Sequence, residues 1–429
     1  MEVNAYVYKE ARKDNIAENY SRRYRDRTGA VIVERLFVQS KSDFSDMTKE
    51  RISEDHGKTW SDWKVISAAN DTDRNQGVHQ RTQHQGPTIW NAVHGHYVSL
   101  HSQEIWVGGY DAATVKYWSG DIRDDVMHAF ITVSTESEIL CKEMVRYQEG
   151  DDFDPEDWTK ASYTQRNVAF ATGNVVVDDN GDILFTIEAP MRYCCESLGK
   201  DINEVFPSKP DFPNGIIVMR GTWNGNRYIF SHGTPIVISD LLSSHGLNEP
   251  TMAKLSSGRI VVVMRASNAQ IGWDTLRLEP GTPGVKWYAW SDDGGATFSE
   301  IMPWHFDDGE IIYSSATCSV IHKDERTGKH YWIGNITDHK VNGNFPRYPL
   351  NIVEIDETYG TAKKESFTII DTRREGEPED IQLSNFNVLQ NRESGKLEIM
   401  LTKFGQYGTM LDSDSVFRAE VWRYEITLP

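Results

Sequence analysis

Cysteine is scarce and basic charge is outnumbered, and each shortage narrows the reading. The chain has four cysteines, Cys141, Cys194, Cys195 and Cys318, in 429 residues. They follow no metal-ligand spacing, and the vicinal pair Cys194 and Cys195 cannot readily bond to itself. They read as reduced and mostly buried, not as a disulfide framework. Lysine and arginine total 45 against 64 acidic residues, a formal charge of −19. Such a surface argues against nucleic acid and membrane surfaces as partners. It leaves room for an anionic small substrate, because a local arginine cluster overrides a mean field. No run approaches the apolar length of a membrane span. The first eight residues, Met1-Glu2-Val3-Asn4-Ala5-Tyr6-Val7-Tyr8, lack the basic, apolar and small-residue succession of a signal peptide. That predicts either an intracellular protein or a secreted one whose signal has been removed. No Pro/Gly-rich linker or low-complexity run divides the chain, so residues 1–429 read as one domain. A phosphate-cradling glycine loop, a nucleophile elbow and a dinucleotide fingerprint are all missing, and no cofactor is expected.

Strand signals fill the sequence instead. Helix-period stretches are few; residues 49–53 and 238–244 read as short turns at most. Trp (13) and Tyr (18) are plentiful, which suits strands and also suits stacking on sugar rings. Two stretches stand out: Ser53-Glu54-Asp55-His56-Gly57-Lys58-Thr59-Trp60 and Ser291-Asp292-Asp293-Gly294-Gly295-Ala296-Thr297-Phe298. Both fit Ser-x-Asp-x-Gly-x-Thr-aromatic. The spacing suits a tight hairpin in which Asp accepts backbone N–H groups, Gly takes a positive φ, and the ring packs beneath. Two copies far apart mean a repeated supersecondary unit.

These stretches resemble the Asp-box repeats of the sialidase superfamily, whose members are β-propellers. The resemblance implies an all-β fold of repeated four-stranded antiparallel blades. Five hairpins share an opening, a short apolar strand, a Gly turn and a more hydrophobic strand: they run through Gly95, Gly181, Gly258, Gly328 and Gly395. Residues 24–38, with Gly29, make a sixth. The expected fold is therefore a six-bladed β-propeller; the count becomes seven if blade two or three is really two. Insertions are expected at about residues 66–86, 104–124, 143–165 and 191–213, and residues 416–426 are placed to close the ring on residues 3–8.

In a propeller, blade-opening residues from distant parts of the sequence meet at one end of the axis. Blade four opens Asn248-Glu249-Pro250-Thr251, and its second strand ends Met264-Arg265. This resembles the sialidase segment whose Glu polarises the nucleophile and whose Arg binds the substrate carboxylate with two other arginines. The alternative is a plain Glu249–Arg265 ion pair steadying the hairpin. Arg347, between Pro346 and Tyr348, matches the third family Arg by place, and Tyr348 is a neighbouring substrate contact. The first family Arg belongs in an Arg-Ile-Pro motif that is missing here; Arg22 or Arg23 is the candidate. Asp43 and Asp46 lie where the family's proton donor lies. The family's Tyr nucleophile falls on Leu383 in Gln382-Leu383-Ser384-Asn385-Phe386, which departs from the ordinary retaining mechanism.

That departure gives weight to His79, His84, His94, His96 and His101 around the blade-two hairpin. His84 and His101 suit proton transfer near neutral pH, and Arg166 would face the same region. The five carry no zinc-ligand spacing, so no metal is expected. Three functions follow. The first is a sialidase-like exo-glycoside hydrolase acting on an acidic oligosaccharide or polysaccharide, with Arg265 and Arg347 on the carboxylate, Glu249 as acid/base or polarising group and Asp43 or Asp46 as proton donor. The second is a lyase acting by β-elimination at a uronic acid, with His84 or His101 as base. The third is a non-catalytic sugar-binding propeller. Nothing in the sequence fixes an oligomeric state.

Overall fold

The computed structural model describes residues 1–40, 45–68, 71–74, 78–107, 125–148, 166–208, 213–270, 276–409 and 416–429, with backbone alone at 67–68, 71–74, 78–87, 104–107 and 125–126. The chain starts with β1 (Glu2–Lys9) and then lays down six antiparallel sheets. Blade one is β2 (Ala17–Tyr24), β3 (Ile32–Gln39), β4 (Met47–Ser53) and β5 (Lys64–Ala68). Blade two has five strands, β6 (Asp71–Arg74), β7 (Val78–Asn91), β8 (His96–Val107), β9 (Asp125–Ser134) and β10 (Ile139–Met144). Blade three is β11 (Val175–Val177), β12 (Ile183–Pro190), β13 (Asn214–Trp223) and β14 (Tyr228–His232). Blade four is β15 (Asn248–Lys254), β16 (Ile260–Arg265), β17 (Trp287–Ser291) and β18 (Met302–Pro303). Blade five is β19 (Val320–Lys323), β20 (His330–Asn335), β21 (Leu350–Glu354) and β22 (Thr368–Asp371). Blade six is β23 (Asn387–Gln390), β24 (Leu397–Thr402) and β25 (Val421–Thr427), completed by β1, which pairs antiparallel with β25 from Glu2↔Thr427 to Lys9↔Val421. The fold is a six-bladed β-propeller.

Blades stack face to face, so their middle strands are buried on both sides. All six residues of β20 and of β24 are buried. Apolar clusters fill the gaps between consecutive blades. Leu184 and Ile216 of blade three meet Met252 and Ile260 of blade four, and Val261 of blade four meets Trp332 and Val353 of blade five.

The structure departs from the sequence reading in three places. Blade one's hairpin starts at Ala17, earlier than residue 24. Its first strand reads as polar because Glu18 and Arg22 are buried in ion pairs, which hides the strand from a hydrophobicity pattern. Blade two gains a fifth strand, β6, paired with the extended start of β7. The insertion at 191–213 carries two short helices, Met191–Ser197 and Ile202–Val205, and residues 49–53 belong to β4.

The two repeated turns join the third and fourth strands of blades one and four. In the second, Thr297 N and Oγ1 donate to Asp293 at 2.9 and 2.6 Å. Ser291 Oγ donates to Asp293 Oδ1 at 2.7 Å and accepts from Gly295 N at 2.8 Å. The first repeats this: Thr59 donates to Asp55, and Gly57 N donates to Ser53 Oγ at 2.7 Å. Gly57 and Gly295 sit at φ 87° and 93°, where a Cβ is disfavoured. Ser291 is buried, so Ser291→Ala strands the Gly295 N–H. A loss of about 1–3 kcal/mol is expected, read as a shifted denaturant midpoint; an unchanged midpoint contradicts the role given to the serine.

Candidate functional site

First strands of neighbouring blades touch one another, β7 with β11, β11 with β15, β15 with β19 and β2 with β23, so these strands line the axis. Their opening ends place the chemistry. Asn248 pairs with Arg265 across an irregular step in the β15–β16 ladder, and that step frees Glu249 from the ladder. Glu249 sits at φ 42°, a left-handed backbone that costs a non-glycine residue on the order of 1–3 kcal/mol. Glu188, at the matching end of β12, holds it there by accepting from Glu249 N at 2.9 Å. Glu188 also accepts from Asn248 Nδ2 and Thr172 Oγ1, each at 2.9 Å. Burial raises the Glu188 pKa, while these donors and the nearby Glu249 charge pull in opposite directions.

Arg265 Nη1 meets Glu249 Oε1 at 2.7 Å, with side chains 21% and 27% exposed, so the pair is open to solvent. Burial tends to raise the Glu249 pKa, but Arg265, Lys286 and Arg347 outweigh it and hold the carboxyl below its ordinary value. Glu249 Oε2 makes no hydrogen bond to any described residue. Arg265 Nη2 reaches Asn344 Oδ1 at 3.3 Å, and the Asn344 carbonyl accepts from Arg347 Nε at 3.2 Å. Arg347 Nη1 donates to Gln382 Oε1 at 2.8 Å and Ser384 Oγ at 3.4 Å. Blades four, five and six therefore bring Glu249, Arg265 and Arg347 to one end of the axis.

Three further groups belong here that the sequence did not announce. Glu188 closes an apolar second strand just as Arg265 does, and that shared register was the available signal. Cys318 precedes β19, and its Sγ donates to Asn385 Oδ1 at 3.2 Å. Burial, and then Glu249, raise its pKa, so the thiol is protonated. Lys286 is fully buried just before β17, and its Nζ donates to the Ser315 carbonyl at 3.2 Å and to that of Thr317.

Burial first, then Arg265, bring the Lys286 pKa down to about 7 against the pull of Glu249. An unfolded lysine keeps a pKa of about 10.4. Between these values the folded protein binds fewer protons than the unfolded chain, so this group's contribution to stability rises with pH. Below about pH 7 the buried ammonium is a full cost. Wild type minus Lys286→Met stability is therefore expected to rise between about pH 7 and about pH 10, by an amount on the order of a few kcal/mol. Denaturant midpoints across that range check it; a flat difference contradicts it.

The other candidates lie elsewhere. Arg22 and Arg23 are near the hairpin end of β2, beside the pair Tyr24↔Ile32, while Glu249 is at the opening end of β15. Arg22 is buried between Glu34, at 2.7 Å, and Glu398, at 3.2 Å, which take its Nε and Nη1 groups. Burial and the nearby Arg35 lower the Arg23 pKa. Asp46 is exposed in the β3–β4 loop, at the opening end of blade one, and accepts from Ser40 N at 2.6 Å; Asp43 lies outside the described residues. His101 pairs with Gln85, its ring stacks on Phe130 at 5.7 Å, and burial takes its pKa down to about 4. His84 sits beside that pair in β7, and its side chain lies outside the described residues. Arg166 is exposed before β11, its carbonyl accepting from His128 Nε2 at 3.2 Å. Tyr348 packs against the core between blades five and six, with Arg373 over its ring. Leu383 is fully buried in that same core.

Among the described residues no group of three metal-ligating side chains is placed to hold an ion. A cavity of about 630 Å³ lies away from the axis cluster, lined by Arg25, Asp26, Glu54, Trp60 and Glu136 among others.

No family model and no curated protein matches the chain. Solved structures do. A protein of unknown function from Dyadobacter fermentans DSM 18053 superposes with a TM-score of 0.56 at 13% identity, covering 99% of each chain. NanB, solved with Optactamide, matches with a TM-score of 0.53 at 10% identity, over 98% of this chain and 69% of its own. A Trypanosoma rangeli sialidase gives 0.49 at 12% identity, over 97% and 55%. At these identities the likeness is one of fold.

Proposed function

We propose that this protein is a sialidase-like exo-glycoside hydrolase acting on a glycan that ends in a carboxylated sugar of the sialic or uronic type. One observation carries the reading: Glu249, in a left-handed backbone, is ion-paired with a solvent-open Arg265 at 2.7 Å, and Arg347 lies one residue-contact away through Asn344. Strained backbone of this kind gathers where geometry serves function. Arg265 and Arg347 hold the substrate carboxylate. Each guanidinium is itself held, by Glu249 and Asn344 or by Gln382 and Ser384, so little ordering is left for binding.

Glu249 is ionised, and its carboxylate accepts a proton from an attacking water or stabilises the developing positive charge on the ring. Leu383 offers no nucleophile, so water attacks directly. Asp46, in the β3–β4 loop, or Asp43 donates the proton to the leaving group. Glu188 positions Glu249 through its backbone N–H. Elimination draws no support from His101, because a ring with a pKa of about 4 is a weak base at neutral pH.

A screen of acidic oligosaccharides, read by reducing-sugar release and by ultraviolet absorbance, tests this. Reducing ends without absorbance, lost by about 100-fold or more in Glu249→Gln, are expected. Absorbance of an unsaturated product that survives in Glu249→Gln would establish the lyase instead. Binding without any turnover would leave a sugar-binding propeller.

A further inference from the structure

We propose that Asn385 contacts the substrate, its side-chain N–H donating to a neutral oxygen of the sugar, a hydroxyl or an amide carbonyl, beside the carboxylate. This deepens the hydrolase reading and rests on its axial site. Among the described residues four that are not glycine take a left-handed backbone: His56, Asn167, Glu249 and Asn385. His56 lies in the first repeated turn. Asn167 is buried, and its Oδ1 is spent on Tyr147 N and Gln148 N, each at 2.8 Å. Glu249 and Asn385, at φ 42° and 59°, stand where the first strands of blades four and six open. The segment that leads to Asn385 is fixed on several sides. Gln382 N donates to the Phe404 carbonyl at 2.7 Å, and Leu383 N to that of Arg347 at 2.9 Å. Asn335 Nδ2 donates to the Leu383 carbonyl at 3.0 Å. Ser384 is buried, with its Oγ 3.4 Å from Arg347 Nη1. Asn385 follows directly and is exposed, so it stands at the edge of the arginine cluster. Left-handed backbone held in this way by its surroundings gathers where ligands bind.

The side chain is oriented as well as placed. Cys318, at the opening of blade five, donates from Sγ to Asn385 Oδ1 at 3.2 Å. The amide oxygen is thereby taken, and Nδ2 meets no acceptor among the described residues. An amide held by its oxygen offers its N–H groups. In the proposed reading Arg265 and Arg347 take the carboxylate oxygens, which leaves the amide for a neutral oxygen of the same sugar. A donor set in place before binding adds little ordering cost, and it disfavours a ligand that lacks the matching acceptor. Asn385 thus selects for the sugar, where the arginines select for the charge.

The test titrates the full chain with glucuronic acid and with acetate, which carries the carboxylate and no sugar, and reads the ratio of the two affinities. Asn385→Gly keeps the left-handed backbone and removes the donor. It should hold the wild-type denaturant midpoint while the preference for glucuronic acid over acetate falls about tenfold, as expected for one lost hydrogen bond. Asn385→Asp keeps the shape and the acceptor for the Cys318 thiol, and it repels both anions, so the ratio again isolates the sugar contact. The same fall is expected there, and it decides the matter if the glycine variant folds poorly. An unchanged preference in a folded variant gives Asn385 a backbone role alone and overturns the inference. Equal loss of both ligands in Asn385→Gly overturns it too, by placing the contact on the carboxylate. If neither ligand binds the wild type, the inference falls together with the axial site. If the preference falls while no acidic glycan is cleaved, the inference stands and the hydrolase reading fails. If glycans are cleaved and the preference is untouched, the reverse holds.

Discussion

Arg265→Ala is expected to remove binding of carboxylated sugars, with a loss of about 100-fold or more in affinity. Arg265 is the partner of Glu249 at 2.7 Å, and in the proposed reading it supplies half of the fork for an incoming carboxylate. Truncating one member of a hydrogen-bonded charge pair costs up to about 2–5 kcal/mol when the pair is buried and less when, as here, it is partly exposed; part of that is the penalty left on the other member. Here that other member is Glu249, with Glu188 bound to its backbone N–H. Without Arg265, Glu249 is left without its paired cation and loses the largest influence holding its pKa down. Its proton affinity rises, so activity in the variant should shift toward higher pH as well as fall. Arg265→Lys keeps a charge and loses the planar fork, and it should retain part of the affinity. Calorimetric titration with N-acetylneuraminic acid and glucuronic acid measures both. Wild-type affinity in Arg265→Ala contradicts the site.

Arg22→Ala is expected to act on stability and not on the site. Arg22 joins blade one to blade six. It donates to Glu34, which also takes Arg51 at 2.6 Å, and to Glu398, which also takes Arg423 at 2.6 Å. Its guanidinium lies over the rings of Tyr8 and Trp60 at 5.0 and 5.1 Å. Removing it leaves two buried carboxylates with one cation each, at a cost of about 3 kcal/mol. Arg22→Met keeps the packing volume and should cost less. Chemical denaturation reads the loss, and folded variant should bind carboxylated sugars as the wild type does. A stable Arg22→Ala protein that has lost such binding would move Arg22 into the site.

The contrast between these two arginines shows what the sequence could carry. The repeated Ser-x-Asp-x-Gly-x-Thr turns and the apolar hairpins made the propeller legible, because both signals are local. Glu249 and Arg265 were legible because each sits at the end of one hairpin, where pairing register alone brings them together. Arg347 is linked to Arg265 through Asn344 and is tied to Gln382 by a bridge between blades, which no local pattern records. Arg22 misled for the opposite reason. Its surroundings in sequence are polar, yet its partners Glu34 and Glu398 come from a neighbouring strand and the far end of the chain. Lys286 stood unnoticed between Val285 and Trp287, because a lysine in an apolar strand says nothing of which carbonyls receive it.

The central claim is that guanidinium groups from separate blades gather at the opening end of the axis to hold an anionic sugar. A crystal structure with N-acetylneuraminic or glucuronic acid bound tests it most directly. The account predicts the carboxylate between Arg265 and Arg347, with the anomeric carbon toward Glu249. A sugar seated instead in the cavity beside Trp60, with both guanidinium groups untouched, would contradict it.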